Sequence, residues 1–186
     1  MHLNIPNTLT LIRIAFIPVI IVMFYLPYDW ARPACAWLYG LAAITDWFDG
    51  YFARKLNQQS KVGAFLDPVA DKLIVAVALI LIAAAHPDIL IVLGTIIIIG
   101  REITISALRE WMASLGLQAK VAVSMLGKIK TTAQMFAIGF LLHRDEFYGL
   151  NTQAIGVVLL VIASVLTIVS MVIYLKAAYL EMKSNM

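Results

Sequence analysis

Residues 46–85 read DWFDGYFARKLNQQSKVGAFLDPVADKLIVAVALILIAAA. Two apolar stretches flank a short polar break, Lys55-Leu56-Asn57-Gln58-Gln59-Ser60-Lys61, and four aspartates sit close to it. Asp46 and Asp49 are three residues apart, and Asp67 and Asp71 are four apart. On helices, either spacing puts both carboxylates on one face. Counted from the middle of the break, Asp49 and Asp67 are about equally deep. Asp46 and Asp71 are roughly one turn deeper at about 1.5 Å per residue. Antiparallel neighbouring helices would therefore bring four carboxylates around one small volume. An Asp near the centre of a spanning helix costs roughly 2.5–3.5 kcal/mol, so four bare ones would cost on the order of 10 kcal/mol. Such a cluster calls for a metal, a substrate or paired cations.

The rest of the chain fits a membrane protein. Of 186 residues, 62% are hydrophobic and 13% charged, with a mean hydropathy of +0.91. A soluble domain carries about 25% charged residues. A soluble enzyme, a disordered tail and a nucleic-acid binder are thus disfavoured, and no nucleic-acid partner is expected despite the net charge of +3. Cys35 is the single cysteine, which excludes an intrachain disulfide and a thiolate metal site. Arg13 interrupts the first apolar stretch and no basic n-region precedes it, so a cleaved signal peptide is not expected.

Apolar segments fall near 8–26, 32–54, 64–85, 89–110, 121–143 and 153–175. The pattern predicts an all-α integral membrane protein with six transmembrane helices, forming a single domain over 1–186. Residues 1–6 are expected along the interface, with Asn7 or Thr8 capping the first helix. With a cytoplasmic N-terminus, only Arg32 and Arg144 fall on the far side, so the positive-inside rule puts both termini in the cytoplasm. Segments one, three and five carry charges near their N-terminal ends: Arg13; Asp67, Asp71 and Lys72; Lys128 and Lys130. Segments two and four carry them near their C-terminal ends: Asp46 and Asp49; Arg101 and Glu102. In an up-down bundle these ends share one side. The expectation is a charged cavity open to the cytoplasm and closed by apolar helix halves. His2, His86 and His143 stand at predicted ends and read as interfacial.

Oxygen-only donors favour Mg²⁺ or Mn²⁺ over zinc or copper. Four carboxylates suffice for two bridged divalent ions, an arrangement suited to in-line displacement at phosphorus. Gly50 and Gly63 leave room for a phosphate to approach, and Arg54 offers a guanidinium one turn beyond Gly50. The plainer reading is ion pairing within the bundle, with Arg54, Lys72 and Arg101 neutralising some of the aspartates. A cation transporter is a further alternative, although no internal repeat is visible. A membrane prenyltransferase uses similar aspartate logic but has more helices than this length allows.

Asp46, Asp49, Gly50, Ala53, Arg54, Gly63, Asp67 and Asp71 match the signature D-x2-D-G-x2-A-R-x8-G-x3-D-x3-D without departure. The chain thereby resembles the CDP-alcohol phosphotransferases. Asn4-Ile5-Pro6-Asn7, Arg101-Glu102-Ile103, Ser106 to Trp111 and Gly127 to Gln134 are similar to the bacterial branch that uses sn-glycerol 3-phosphate as acceptor. The resemblance implies two divalent ions, Mg²⁺ or Mn²⁺, on Asp46, Asp49, Asp67 and Asp71, with Asp71 also the catalytic base. It implies CDP-diacylglycerol contacts from Gly50, Ala53, Arg54, Ser60, Gly63, Asn7 and Thr10. It further implies phosphatidylglycerophosphate and CMP as products, a homodimer, and a bacterial inner membrane with the active site facing the cytoplasm. Inositol phosphate, serine or phosphatidylglycerol are the alternative acceptors.

A phosphorylated acceptor needs cations. Arg101 and Arg109 lie eight residues apart, about 80° around a helix, and can face one cavity. Lys128 and Lys130 are about 200° apart on a helix, so one at most is expected to point inward. Arg109, Arg101 and Lys128 are the expected phosphate contacts, with Lys130 behind them. Pairing of Arg101 with Glu102, pairing of Arg109 with Glu110, and lysines acting as interface anchors are the plainer alternatives.

Overall fold

A computed structural model describes residues 5–56, 61–116, 125–144, 146 and 149–184. Side chains are described for these residues except 5–7, 46–56, 61, 62, 64, 126 and 184. Among the described residues the chain is all-helical: α1 (Ile5–Tyr25), α2 (Ala31–Leu56), α3 (Lys61–Ala85), α4 (Ile89–Ser114), α5 (Met125–His143) and α6 (Thr152–Ser184).

Each expected apolar segment holds a helix, with shifted ends; residues 121–124 of the fifth lie outside the described residues. α1 reaches back to Ile5, so Asn7 and Thr8 lie in its first turns rather than at a cap. Pro6 is tolerated there because first-turn amides have no intrahelical acceptor. The expected interfacial stretch 1–6 is therefore partly helix, and residues 1–4 lie outside the described residues. α6 runs to Ser184, well past 175. At about 1.5 Å per residue it is roughly 50 Å long, more than the roughly 30 Å hydrocarbon core. Its last turns, with Lys176, Glu181 and Lys183, are the polar continuation of a span. Sharp polar caps set two starts: Asp88 accepts from Leu90 N at 2.8 Å before α4, and Asn151 Oδ1 accepts from Ala154 N at 2.9 Å before α6.

Four described helices are long and apolar enough to cross a membrane: Thr8–Tyr25, Phe65–Ala85, Ile89–Ser114 and Thr152–Lys183. α2 and α5 are more polar. α2 carries Arg32, Asp46, Asp49, Arg54 and Lys55, and α5 carries Lys128 and Lys130.

α1 packs against both α2 and α3; α5 packs against α2, α3 and α6; α4 lies against α3 and α6. Among the described residues, α2 and α3 are joined mainly through α1 and α5. Glycines let α6 approach closely. A Cβ on Gly156 would lie 2.7 Å from Leu141 Cγ, and one on Gly94 would lie 2.9 Å from Leu160 Cγ. Small residues at such crossings let backbones meet without the aid of a hydrophobic driving force.

The core is concentrated at one end. Ile20 and Phe24 of α1, Cys35 and Tyr39 of α2, Leu79 and Ile82 of α3, Ile91 and Ile98 of α4, Ile138 and Leu142 of α5, and Leu160 of α6 form one buried cluster. These positions occupy the helix halves away from the charges. Outward-facing Ile96, Val158, Val165 and Val172 remain exposed, as lipid-facing residues are. At this apolar end, the Arg32 guanidinium lies 3.7 Å from the Phe24 ring centroid. Burial, with Arg144 and Arg32 nearby, holds the His86 imidazole below the ordinary histidine range.

Candidate active site

All six helices contribute to one polar cavity of about 500 Å³. Arg13 enters from α1, Asp71 and Lys72 from α3, Arg101 and Glu102 from α4, and Lys128, Lys130 and Gln134 from α5. Ser170 of α6 completes the wall, and Tyr39, Ala42 and Ile74 form an apolar floor continuous with the core. The bundle thus combines a charged cavity with an apolar plug.

The α1–α3 seam organises the acidic side. Thr10 and Arg13 are three residues apart and face Asp67 and Asp71, four apart, so two rungs form between parallel helices. Thr10 Oγ1 donates to Asp67 Oδ1. Arg13 Nη1 lies 3.9 Å from Asp71 Oδ1. Thr10 and Arg13 are fully buried, whereas the Asp71 side chain is 58% exposed. The carboxylate is therefore held from behind and open in front. Pro68 follows Asp67 directly and withdraws one intrahelical donor at this level of α3. Gly63 is buried in the first turn of α3.

Asp46, Asp49, Gly50, Ala53 and Arg54 lie on the C-terminal part of α2, with side chains outside the described residues, as is that of Asn7. Ser60 lies wholly outside them. Among the described residues no three His, Cys, Asp or Glu side chains converge as a metal site. The described part of the donor set is all carboxylate: Asp67 and Asp71 share one face, and among the described residues the cavity lining holds no His or Cys. That chemistry fits a hard, oxygen-binding divalent cation.

The basic side is tied together by one carboxylate. Arg101 Nη1 donates to Glu102 Oε1 at 2.8 Å, and Lys130 Nζ donates to the same oxygen at 3.1 Å. Lys130 is buried, and Lys128 is exposed at the rim of the same cavity. The helical angle permits this because a long lysine stem can lie along the wall with its ammonium at the opening. The deeper cation is thus Lys130, which sequence reading placed behind Lys128. Arg109 is outside the cavity lining; its guanidinium lies 5.3 Å from the Tyr174 ring centroid on α6. Lys72 Nζ donates to Ser106 Oγ, and that hydroxyl donates to the Glu102 carbonyl at 2.6 Å. α3, α4 and α5 are thereby cross-linked around Glu102.

Sequence reading gave no site role to Arg13, Glu102 or Gln134. Arg13 had a usable signal: a charge in an apolar helix, three residues after Thr10, needs a partner. Glu102 was legible only as a neighbour of Arg101, because its link to Lys130 spans 28 positions.

A second, apolar groove of about 490 Å³ lies between α2 and α5 and includes Trp37, Gly40, Phe136 and Gly139. Tyr39, Ala43 and Met135 line both it and the polar cavity, so the two spaces adjoin.

Comparison with known proteins matches residues 3–173 to the CDP-alcohol phosphatidyltransferase family model. Three bacterial relatives carry the name CDP-diacylglycerol–glycerol-3-phosphate 3-phosphatidyltransferase. The Pectobacterium atrosepticum protein is 53% identical over 178 residues, 96% of each chain. Those of Salmonella choleraesuis and Shigella flexneri are 50% and 49% identical over the same share. A match over nearly the whole length, on a bundle with Asp71 and several cations around one cavity, leaves a single assignment: this chain belongs to the CDP-alcohol phosphatidyltransferase family.

Proposed function

We propose that this protein transfers the phosphatidyl group of CDP-diacylglycerol to sn-glycerol 3-phosphate, giving phosphatidylglycerophosphate and CMP. The observation that carries the reading is the single cavity in which the carboxylate of Asp71 opposes Arg101, Lys128 and Lys130. An acceptor with a phosphate at one end and a hydroxyl at the other matches that polarity. Its phosphate lies against the cations, and its hydroxyl points toward Asp71.

In this reading Asp46, Asp49, Asp67 and Asp71 hold two divalent cations, Mg²⁺ or Mn²⁺. Bound there, the cations would polarise the pyrophosphate and neutralise developing charge on the leaving CMP. Asp71 takes the proton from the acceptor hydroxyl. The acceptor oxygen forms a bond to the lipid-side phosphorus, and the bond from that phosphorus to the CMP oxygen breaks. Arg13 and Thr10 hold the two α3 carboxylates during this exchange. Gly50, Ala53, Arg54, Ser60, Gly63 and Asn7 bind the CDP moiety, with Thr10 acting through Asp67. The acyl chains lie in the apolar groove between α2 and α5, which adjoins the cavity. Arg109, on the α6 side, gathers the phosphorylated acceptor from outside. Such an electrostatic approach raises association rates.

Six spans with both termini in the cytoplasm, in the inner membrane of a bacterium, complete the reading, with the whole chain acting as one domain and the cavity facing the cytoplasm. The placement of twelve of the 14 basic residues supports this orientation. A homodimer is proposed on the family resemblance, and light scattering in detergent tests it.

The function is tested by turnover of purified protein in detergent with CDP-diacylglycerol, labelled glycerol 3-phosphate and Mg²⁺. Label should enter the lipid phase with one CMP released per lipid formed, and a chelator should abolish both. CMP release only with serine or inositol phosphate would keep the family and replace the acceptor.

A further inference from the structure

We propose that Glu102 and Gln134 form a specificity subsite for the acceptor's non-reacting hydroxyl, the one on the middle carbon of glycerol 3-phosphate. The inference rests on the acceptor reading above and extends it to residues that reading does not use.

Both hydrogen bonds to the Glu102 carboxylate fall on Oε1, from Arg101 at 2.8 Å and Lys130 at 3.1 Å. The other oxygen is left as an acceptor on a side chain that lines the cavity. Gln134 stands one helical turn beyond Lys130 on the same face of α5 and also lines the cavity. It is 7% exposed, and its Oε1 is buried with no hydrogen-bond partner. Arg101 Nε is in the same condition. Buried polar atoms are nearly always paired, so two orphans on residues that line one cavity point to a polar ligand there.

Arg101 and Lys130, held by Oε1, mark the phosphate end, and Asp71 marks the reacting hydroxyl. A three-carbon acceptor spanning the two has its middle carbon beside Glu102 and Gln134. Its hydroxyl can donate to the orphaned Gln134 Oε1 and accept from Arg101 Nε, while the Glu102 carboxylate holds that guanidinium in place. A site built to hydrogen-bond a substrate hydroxyl rejects an analogue lacking it much more strongly than an apolar pocket rejects a lost methylene, because its own polar atoms are left unpaired.

The test compares kcat/KM for glycerol 3-phosphate with that for 3-hydroxypropyl phosphate, which has the same length and lacks the middle hydroxyl. The full-length protein should prefer the natural acceptor by about 10–100-fold, as expected for a hydrogen bond to a charged group. In Glu102→Gln this preference should fall several-fold or more. In Gln134→Leu, which leaves the ion pairs intact, it should fall as well, while KM for CDP-diacylglycerol stays unchanged in both. If the variants slow both acceptors equally and keep the preference, Glu102 and Gln134 are merely structural and the proposal is wrong. A wild-type protein that uses both acceptors equally overturns it too. Wild-type protein releasing no CMP with either acceptor would instead remove the acceptor reading itself.

Discussion

The two walls of the cavity are built on different logic. On the acidic wall each described carboxylate has its own buried partner from α1: Thr10 for Asp67, Arg13 for Asp71. On the basic wall the order is reversed, and two cations share one carboxylate, Glu102. The first arrangement aims single groups, as a proton acceptor or metal ligand requires. The second concentrates positive charge while a central anion limits the repulsion between Arg101 and Lys130. Substitutions on the acidic wall should therefore act on the chemical step, and those on the basic wall on acceptor binding.

The largest effect is expected at Asp71. Asp71→Asn keeps the shape and removes the proposed base, so kcat should drop by about 10²–10⁴-fold, with KM for glycerol 3-phosphate little changed. A variant that keeps kcat within about threefold would break the division of labour, since general-base loss costs at least about 10²-fold.

The basic wall separates into a buried and an exposed cation. Lys130→Met removes a buried ammonium and should raise KM for glycerol 3-phosphate by about 10–100-fold, the worth of a charge-assisted hydrogen bond in a sheltered site. Lys128→Met should raise it only about two- to fivefold, in line with exposed ion pairs, and that smaller effect should shrink in high salt. Steady-state kinetics at two ionic strengths check both. Equal effects at the two lysines would show that burial does not rank them.

What was legible in the sequence follows the same division. Asp67 and Asp71, which α3 places on one face beside α1, were readable because helix periodicity puts residues four apart on one side; the same spacing argument for Asp46 and Asp49 concerns side chains outside the described residues. The apolar plug was readable because, Arg32 aside, the charges within the apolar segments gather toward one end of the bundle. The basic wall was much less readable. Its contacts join α4 to α5 across 28 positions, and no local spacing encodes such a distance. Angular arithmetic on α5 allowed one lysine at most to point inward, since it treats a flexible stem as a rigid spoke; both Lys128 and Lys130 line the cavity, and Lys130 is the buried one. It likewise brought Arg109 to the cavity, whereas α6 offers it the Tyr174 ring. The start of α1 was missed because Pro6 reads as a boundary, although a proline in the first turn loses no hydrogen bond.

The smallest and most discriminating effect is expected at Arg13. Its guanidinium is 1% exposed and stands behind a carboxylate that is 58% exposed. Because Asp71 faces the open cavity, Arg13→Met does not strand it in a dry interior, and the protein should still fold. Two consequences then have opposite signs. Asp71 loses the partner that aims it, so kcat should fall about fivefold, roughly the worth of one modest hydrogen bond. The acidic wall also loses a nearby positive charge. Its carboxylates become more attractive to a cation, so the Mg²⁺ concentration for half-maximal activity should decrease. A merely destabilised protein would lose activity and bind the metal more weakly. Titrating Mg²⁺ against turnover in both proteins separates the cases: a lower kcat at a lower half-saturating Mg²⁺ marks Arg13 as the residue that positions the base. A rise in that concentration would mean that Arg13 shapes the metal site by holding α1 against α3, and the acidic wall would then be a packing device as much as an electrostatic one.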